Sequence, residues 1–376
     1  MADPAELPEP DRIEGAPHPR ETHRLIGHED AEAGFLDAFT SQRLHHAWMI
    51  SGPEGVGKAT LAWKIARFLR ANPPADPNDM FGAPPAPTSL DTPEDHPVFR
   101  QALALAEPGI FLLRRGANDK GDRLSAALRV QEVRRMRAFF SLSVVDGGRR
   151  VVIVDSADEM NNEAANALLK SLEEPPAGTI FLLISHTPSR LLPTIRSRCR
   201  ELRVGPLSPD LLGEALAQAG TDPGGDAEAL GELARGSVGR ALTLAHLDGL
   251  TTYREIVQVF MGAPRYDRAA AIRLANSATG AANVARYGLI IDLLSQFLAR
   301  LARAGAGHIP TVPLSPDEPA LLARLSPNLH ASQAWARLEQ DLSARAAHGR
   351  AVNLDPAALI LDMVFKINET AAKRAA

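Results

Sequence analysis

The run GPEGVGKAT, Gly52 to Thr60, is where the residue types and spacing first suggest chemistry. It follows AWMIS, Ala47 to Ser51, an apolar run of strand length. It precedes LAWKIARFLR, in which Leu61, Ile65, Phe68 and Leu69 recur at helical spacing. Strand, glycine loop and amphipathic helix are the context that a phosphate-binding loop requires. Gly52, Gly55 and Gly57 let successive backbone amides face an anion, and Lys58 adds a charge to the cradle. The last position of the motif ordinarily supplies a hydroxyl to Mg²⁺, and here it is Ala59. Thr60 lies one residue too far along, on a different helical face, and does not simply replace it. The plain alternative is a tight strand-to-helix turn that holds no ligand.

A second chemical stretch runs from Arg149 to Cys199. RRVVIVDSADEMN reads as a buried parallel strand ending in Asp155, the position where α/β sheets gather their ligands. This describes a Walker B strand. NNEAANALLKSLEEPP places Ala165, Leu168, Leu169 and Leu172 at helical spacing and stops at Pro175 and Pro176. TIFLLIS, Thr179 to Ser185, is the next strand, and strand, helix, strand in this order implies a parallel sheet. The segment closes on Ser197, Arg198 and Cys199. Asp158 and Glu159 read as solvated acids of the turn after Asp155, and Cys199 as a buried thiol without a matched base. His45 and His46 read as a cap or an interface pair before a metal site.

GPEGVGKATLA, VVIVDSADEMN, AANALLKSLEEPP and LLPTIRSRC together resemble the clamp-loader branch of AAA+ proteins, over roughly Leu25 to Ala245. The resemblance implies a P-loop AAA+ parallel sheet flanked by helices, then a small helical lid and an all-α collar. It implies that Arg198 reaches in trans to the γ-phosphate of ATP on a neighbouring gamma or tau subunit. Ser185 and His186 fall at its first sensor position, and Arg240, in GSVGR, at its second. Hydrolysing relatives carry a glutamate after the Walker B acid, and here that residue is Ser156. Losses at both Ala59 and Ser156 point to a subunit that does not hydrolyse ATP, with ATP or ADP bound weakly at most. The partners implied are the gamma or tau and delta subunits, with the sliding clamp and primed DNA reached through the complex. Zinc is not expected, because the 72–97 insertion has no cysteine. A hydrolysing motor subunit and a stand-alone nucleotide switch are the alternatives.

Composition sets the outer bounds. At 376 residues, two or three domains are expected. A formal net charge of -4 excludes an overall basic nucleic-acid coat, though not a local groove. The single cysteine excludes a disulfide within one chain and fits a reducing cytoplasm. The acidic, proline-rich start is unlike a secretory signal, and no apolar run is long enough to span a membrane. Aromatics at 5% against 45% hydrophobic residues indicate aliphatic, mostly helical packing. The expected division is a mobile arm over 1–22, the P-loop domain over 23–205 with a poorly ordered proline-rich insertion at 72–97, a lid over 206–265 and a collar over 266–376.

Overall fold

The computed structural model describes residues 9–13, 15–74, 85–118, 120, 124–141, 148–280 and 283–375. In chain order the first part holds α1 (Glu29–Thr40), β1 (Ala47–Ser51), α2 (Lys58–Ala71), α3 (Pro97–Leu103), β2 (Ile110–Leu113) and α4 (Val130–Ser141). It continues with β3 (Arg150–Val154), α5 (Asn162–Glu173), β4 (Thr179–Ser185), α6 (Pro193–Arg196), β5 (Arg200–Arg203) and α7 (Pro209–Gln218). The strands form one parallel sheet in the order β2-β3-β4-β1-β5. All positions of β1 and β4 are buried, which is why both read as unbroken apolar runs without alternation.

Alternate residues of each strand feed two cores. Trp48, Ile50, Ile153, Leu182 and Ile184 pack with α1 and α2 on one face, and Met49, Val152, Val154, Phe181 and Leu183 with α4 and α5 on the other. The result is helix, sheet, helix layering, with β4 between the strand that enters the glycine loop and the strand that ends before Asp155.

Helix α2 is buried beyond its apolar stripe. Lys64, Arg67 and Arg70 are buried too, and each is paired. Lys64 Nζ meets Glu32 and Asp91 carboxylates at 2.8 and 2.9 Å, and Arg70 Nε meets Glu107 at 2.8 Å. Arg67 donates to the carbonyls of Arg20 and Thr22.

Two expectations from the sequence need correction. The arm expected to be mobile is docked over its described part: His18 is fully buried, and Asp11 pairs with Arg114 at 2.6 Å. Prolines block regular structure there, yet the ion pairs of Glu9, Asp11 and Arg20 fix an irregular path. The insertion is likewise packed in its second half, where Leu90 is buried and Asp91 holds Lys64. Its residues 75–84 lie outside the described residues.

The chain divides into two compact units, Met1–Gly220 with Gly236–Arg240, and Thr221–Arg235 with Ala241–Ala376. The stretch expected to form a lid is thus shared between them. The second unit is helical, with α8 (Ala227–Ala234), most of α9 (Val238–His246), α10 (Gly249–Phe260), α11 (Arg268–Asn276), α12 (Val284–Gly305), α13 (Glu318–Leu325), α14 (Leu329–Ala351) and α15 (Pro356–Ala375). At its centre Arg300 meets Glu318 at 2.7 Å and Glu232 at 2.7 Å, and Tyr253 donates to Glu318 at 2.6 Å. Among the described residues no helix is long and apolar enough to cross a membrane.

Candidate functional site at the phosphate-binding loop

The loop from Gly52 to Gly57 links the C-terminal end of β1 to the first turn of α2. Gly52 has φ 153°, and a Cβ there would lie 2.0 Å from the Val204 carbonyl oxygen. Gly55 has φ 73°, and its Cβ would meet Ser237 Oγ at 2.5 Å. Only glycine fits both the backbone and the space at these two positions.

Lys58 opens α2, and its ammonium turns back into the loop, donating to the Gly52 carbonyl at 2.8 Å and to that of Pro53. Burial pulls its pKa down to about 8, against the pull of Glu54, Asp158 and Asp155. Ala59 is half-buried against the apolar core, where a hydroxyl would have stood, and Thr60 is half-buried beside it.

Asp155 follows β3, and its amide donates to the Leu113 carbonyl at 2.8 Å. Burial lifts its carboxyl to about 7, reinforced by the Asp11 and Glu159 carboxylates and opposed by Arg114 and Lys58. Ser156 takes a left-handed conformation, φ 55°, which turns its Oγ to within 3.2 Å of His186 Nε2. His186 is held below its usual pKa by burial and by the Lys58 charge.

The acids after Asp155 are not the solvated turn residues expected from the sequence. Asp158 is buried, and its two carboxylate oxygens accept from the amides of His186 and Thr187 at 3.0 and 3.1 Å. Glu159 pairs with Arg115 at 2.8 Å. Asp158 thereby ties the turn after β3 to the exit of β4, a structural duty that engages both of its oxygens.

Ser237, Gly239 and Arg240 clasp the loop from above. The Gly239 amide donates to the Gly55 carbonyl at 2.8 Å, Ser237 Oγ to that of Glu54 at 2.9 Å, and the Arg240 amide to Ser237 Oγ at 3.2 Å. The structure therefore gathers Gly52, Gly55, Gly57, Lys58, Thr60, Asp155, His186 and the turn carrying Arg240 around the C-terminal edge of the sheet, where α/β proteins bind ligands. Sequence reasoning missed Asp11, Ile13, His28 and Arg114. His28 Nε2 lies 2.6 Å from the Val56 carbonyl, and the Arg114 guanidinium follows the strand paired with β3. Their lone positions in unpatterned segments carry no motif.

Arg198 stands elsewhere, on the short connection from α6 to β5. It donates to the Thr194 carbonyl at 3.0 Å and pairs with Glu173, at the end of α5, at 2.8 Å. A cleft of about 780 Å³ runs from Ser51, Gly52 and Pro53 past His186 to Arg196 and Cys199. Burial pushes the Cys199 thiol up to about 12, so it stays protonated at neutral pH. His45 and His46 are spent on the backbone, facing the carbonyls of Ala47 and Leu172 at 2.9 and 3.0 Å. Among the described residues no group of His, Cys, Asp and Glu is arranged to hold a metal ion.

Residues 27–208 match the family model for DNA polymerase III, delta subunit. The chain is 37% identical over 221 residues to DNA polymerase III subunit delta' of Pseudomonas aeruginosa, covering 58% of this chain and 60% of that one. It is 28% identical over 332 residues to subunit delta' of Escherichia coli, covering 88% and 91%. It is 33% identical over 201 residues to subunit gamma/tau of Mycobacterium tuberculosis strain H37Rv, covering 52% of this chain and 30% of that one. The match thus spans about three fifths of the Pseudomonas relative and under a third of the mycobacterial one.

Proposed function

Because the chain belongs to the delta prime family of DNA polymerase III clamp-loader subunits, we propose that it is a non-hydrolysing member of such a loader. In this reading it joins gamma or tau and delta subunits and supports loading of the sliding clamp on primed DNA. Its own chemical contribution is Arg198, offered in trans to the ATP bound by a neighbouring gamma or tau subunit. Any contact that it makes with DNA is to backbone phosphates.

The observation that carries this reading is the contrast between two cations. Lys58 is buried and turned onto its own loop carbonyls, beside an Ala59 that offers no hydroxyl and a Ser156 that offers no base. Arg198 is part-exposed, on a short connection, held by a surface ion pair to Glu173 and a hydrogen bond to the Thr194 carbonyl. Charge builds on the transferring phosphoryl group, and a fixed guanidinium there is worth about 10³ to 10⁵ in rate. A subunit poor in hydrolytic parts can therefore still govern hydrolysis next door.

The test is ATP turnover by a reconstituted complex with gamma or tau and delta. Arg198→Ala is expected to cripple turnover at the neighbouring site, and Lys58→Ala to be nearly silent. Equal losses from both substitutions, or hydrolysis by the isolated chain that depends on Lys58, would reverse the reading.

A further inference from the structure

The geometry points to a self-made closure of the phosphate-binding loop: residues 9–13 and 15–22 form a strap that this chain lays across the C-terminal edge of its own sheet, excluding nucleoside triphosphate until the strap lifts.

The strap is anchored at both ends and in the middle. At its C-terminal end the buried Arg67, on α2 itself, donates to the Arg20 carbonyl at 2.8 Å and the Thr22 carbonyl at 3.0 Å. In the middle the His18 ring is wholly buried: Nδ1 accepts from the Arg20 amide at 3.1 Å, and Nε2 lies 3.0 Å from Asp11 Oδ2. Because Nδ1 accepts, the ring proton sits on Nε2, the nitrogen nearer the carboxylate. The Arg20 side chain pairs with Glu9 at 2.6 Å and also donates to the Leu103 carbonyl at 3.1 Å.

At the other end the strap reaches the reactive edge. Arg114 directly follows Leu113, whose carbonyl accepts the Asp155 amide, and Arg114 meets Asp11 at 2.6 Å and Glu9 at 3.2 Å. Two residues on, Ile13 lies against Gly239: a Cβ at Gly239 would be 2.8 Å from Ile13 Cδ1 and 2.9 Å from the Gly55 Cα. The strap thus passes from the Asp155 edge to the turn that clasps the loop.

Its charge matches the closure. Burial would raise the Glu9 and Asp11 carboxyls, but hydrogen bonds and charge from Arg20, Arg12, His18 and Arg114 overcome it, holding Glu9 at about 2 and Asp11 below its ordinary range. Both are therefore anions at neutral pH. They satisfy Arg114 and place negative charge beside Asp155, where a triphosphate would bring more of the same sign. The anchors are ion pairs and hydrogen bonds, and although His18 is buried no strap residue belongs to either core of the sheet, so the strap can detach without unfolding the core beneath it. This inference concerns occupancy of the chain's own loop and stands whether or not Arg198 acts in trans.

The experiment follows binding of a fluorescent ATP analogue, with magnesium, to the isolated chain by anisotropy. The full chain is compared with one lacking residues 1–17 and with the double variant Glu9→Gln, Asp11→Asn. A strap closed more than about nine tenths of the time weakens apparent affinity by about tenfold or more. Deletion is expected to tighten binding by at least that factor, and the double variant to move it the same way. Lys58→Ala in the deleted chain should abolish the gain. Equal affinity for the full chain and both variants overturns the inference, as does no binding by any of them, or a gain that survives Lys58→Ala. Should the deletion fail to fold by circular dichroism, the double variant decides alone.

Discussion

Arg198 Nη2 lies 2.8 Å from Glu173 Oε1, with 36% and 43% of the two side chains still in solvent. An ion pair so exposed contributes about 0 to 1 kcal/mol, so the guanidinium can leave Glu173 at little cost. Arg198→Lys keeps the charge and loses the planar fork that matches a phosphate. We expect it to leave the denaturation midpoint of the chain nearly unchanged and to impair ATP turnover by the reconstituted loader. Glu173→Gln should leave both readings intact. A Glu173→Gln loss equal to that of Arg198→Lys would place the pair itself in the mechanism.

Asp155 should make stability depend on pH. Its carboxyl titrates near 7 when folded against an ordinary 3.8, chiefly because it is buried. Between about pH 4 and pH 7 the folded chain keeps a proton that the unfolded chain has lost, so stability falls as pH rises through that window. Asp155→Asn removes the titration. Urea denaturation at pH 7.5 should show the variant more stable by roughly 1 to 4 kcal/mol, with a flatter profile below pH 7.

The Arg300, Glu318 and Tyr253 cluster tests the second unit. Arg300 and Glu318 keep 2% and 1% of their side-chain surface in solvent, and Glu318 also accepts from the Leu314 amide at 2.7 Å. Glu318→Ala takes from the buried guanidinium its fully buried carboxylate, leaving it Glu232 at 2.7 Å, and should cost about 3 kcal/mol. Replacing Arg300 and Glu318 together with Met and Leu should recover much of that loss in the same chemical denaturation.

Gly52→Ala tests the loop. The added methyl meets the Val204 carbonyl oxygen at 2.0 Å from a backbone at φ 153°. A loss of about 2 to 4 kcal/mol in thermal denaturation is expected, with the sheet retained by circular dichroism.

Much of this fold was legible because its signals are local. AWMIS running into GPEGVGKAT marks β1, the loop and α2 within two dozen residues, and VVIVD followed by TIFLLIS marks the buried centre of the sheet. What stayed hidden depends on distant partners. Asp11 and Arg114 are 103 residues apart, and Arg67 and Arg20 are 47 apart, so a proline-rich arm reads as loose until its counter-charges are seen. Nor does the sequence signal that Lys64, Arg67 and Arg70 of α2 are buried, each against a partner. Helix α3 is only PVFRQAL, too short for periodicity to register, and is held by a cap in which the Val98 amide donates to His96 Nδ1 at 3.2 Å. Asp158 misled because an acid in a turn is usually wet, whereas here two backbone amides claim it.

Strand β5 closes one flank of the sheet with Arg200, Glu201, Leu202 and Arg203, of which only Leu202 is buried. A row of ionic side chains along a short border discourages a foreign strand from zipping onto it. Copies crowded side by side, or a nascent neighbour still seeking its fold, therefore find no template here for β-addition. That flank can be packed closely among other chains without merging its backbone with theirs.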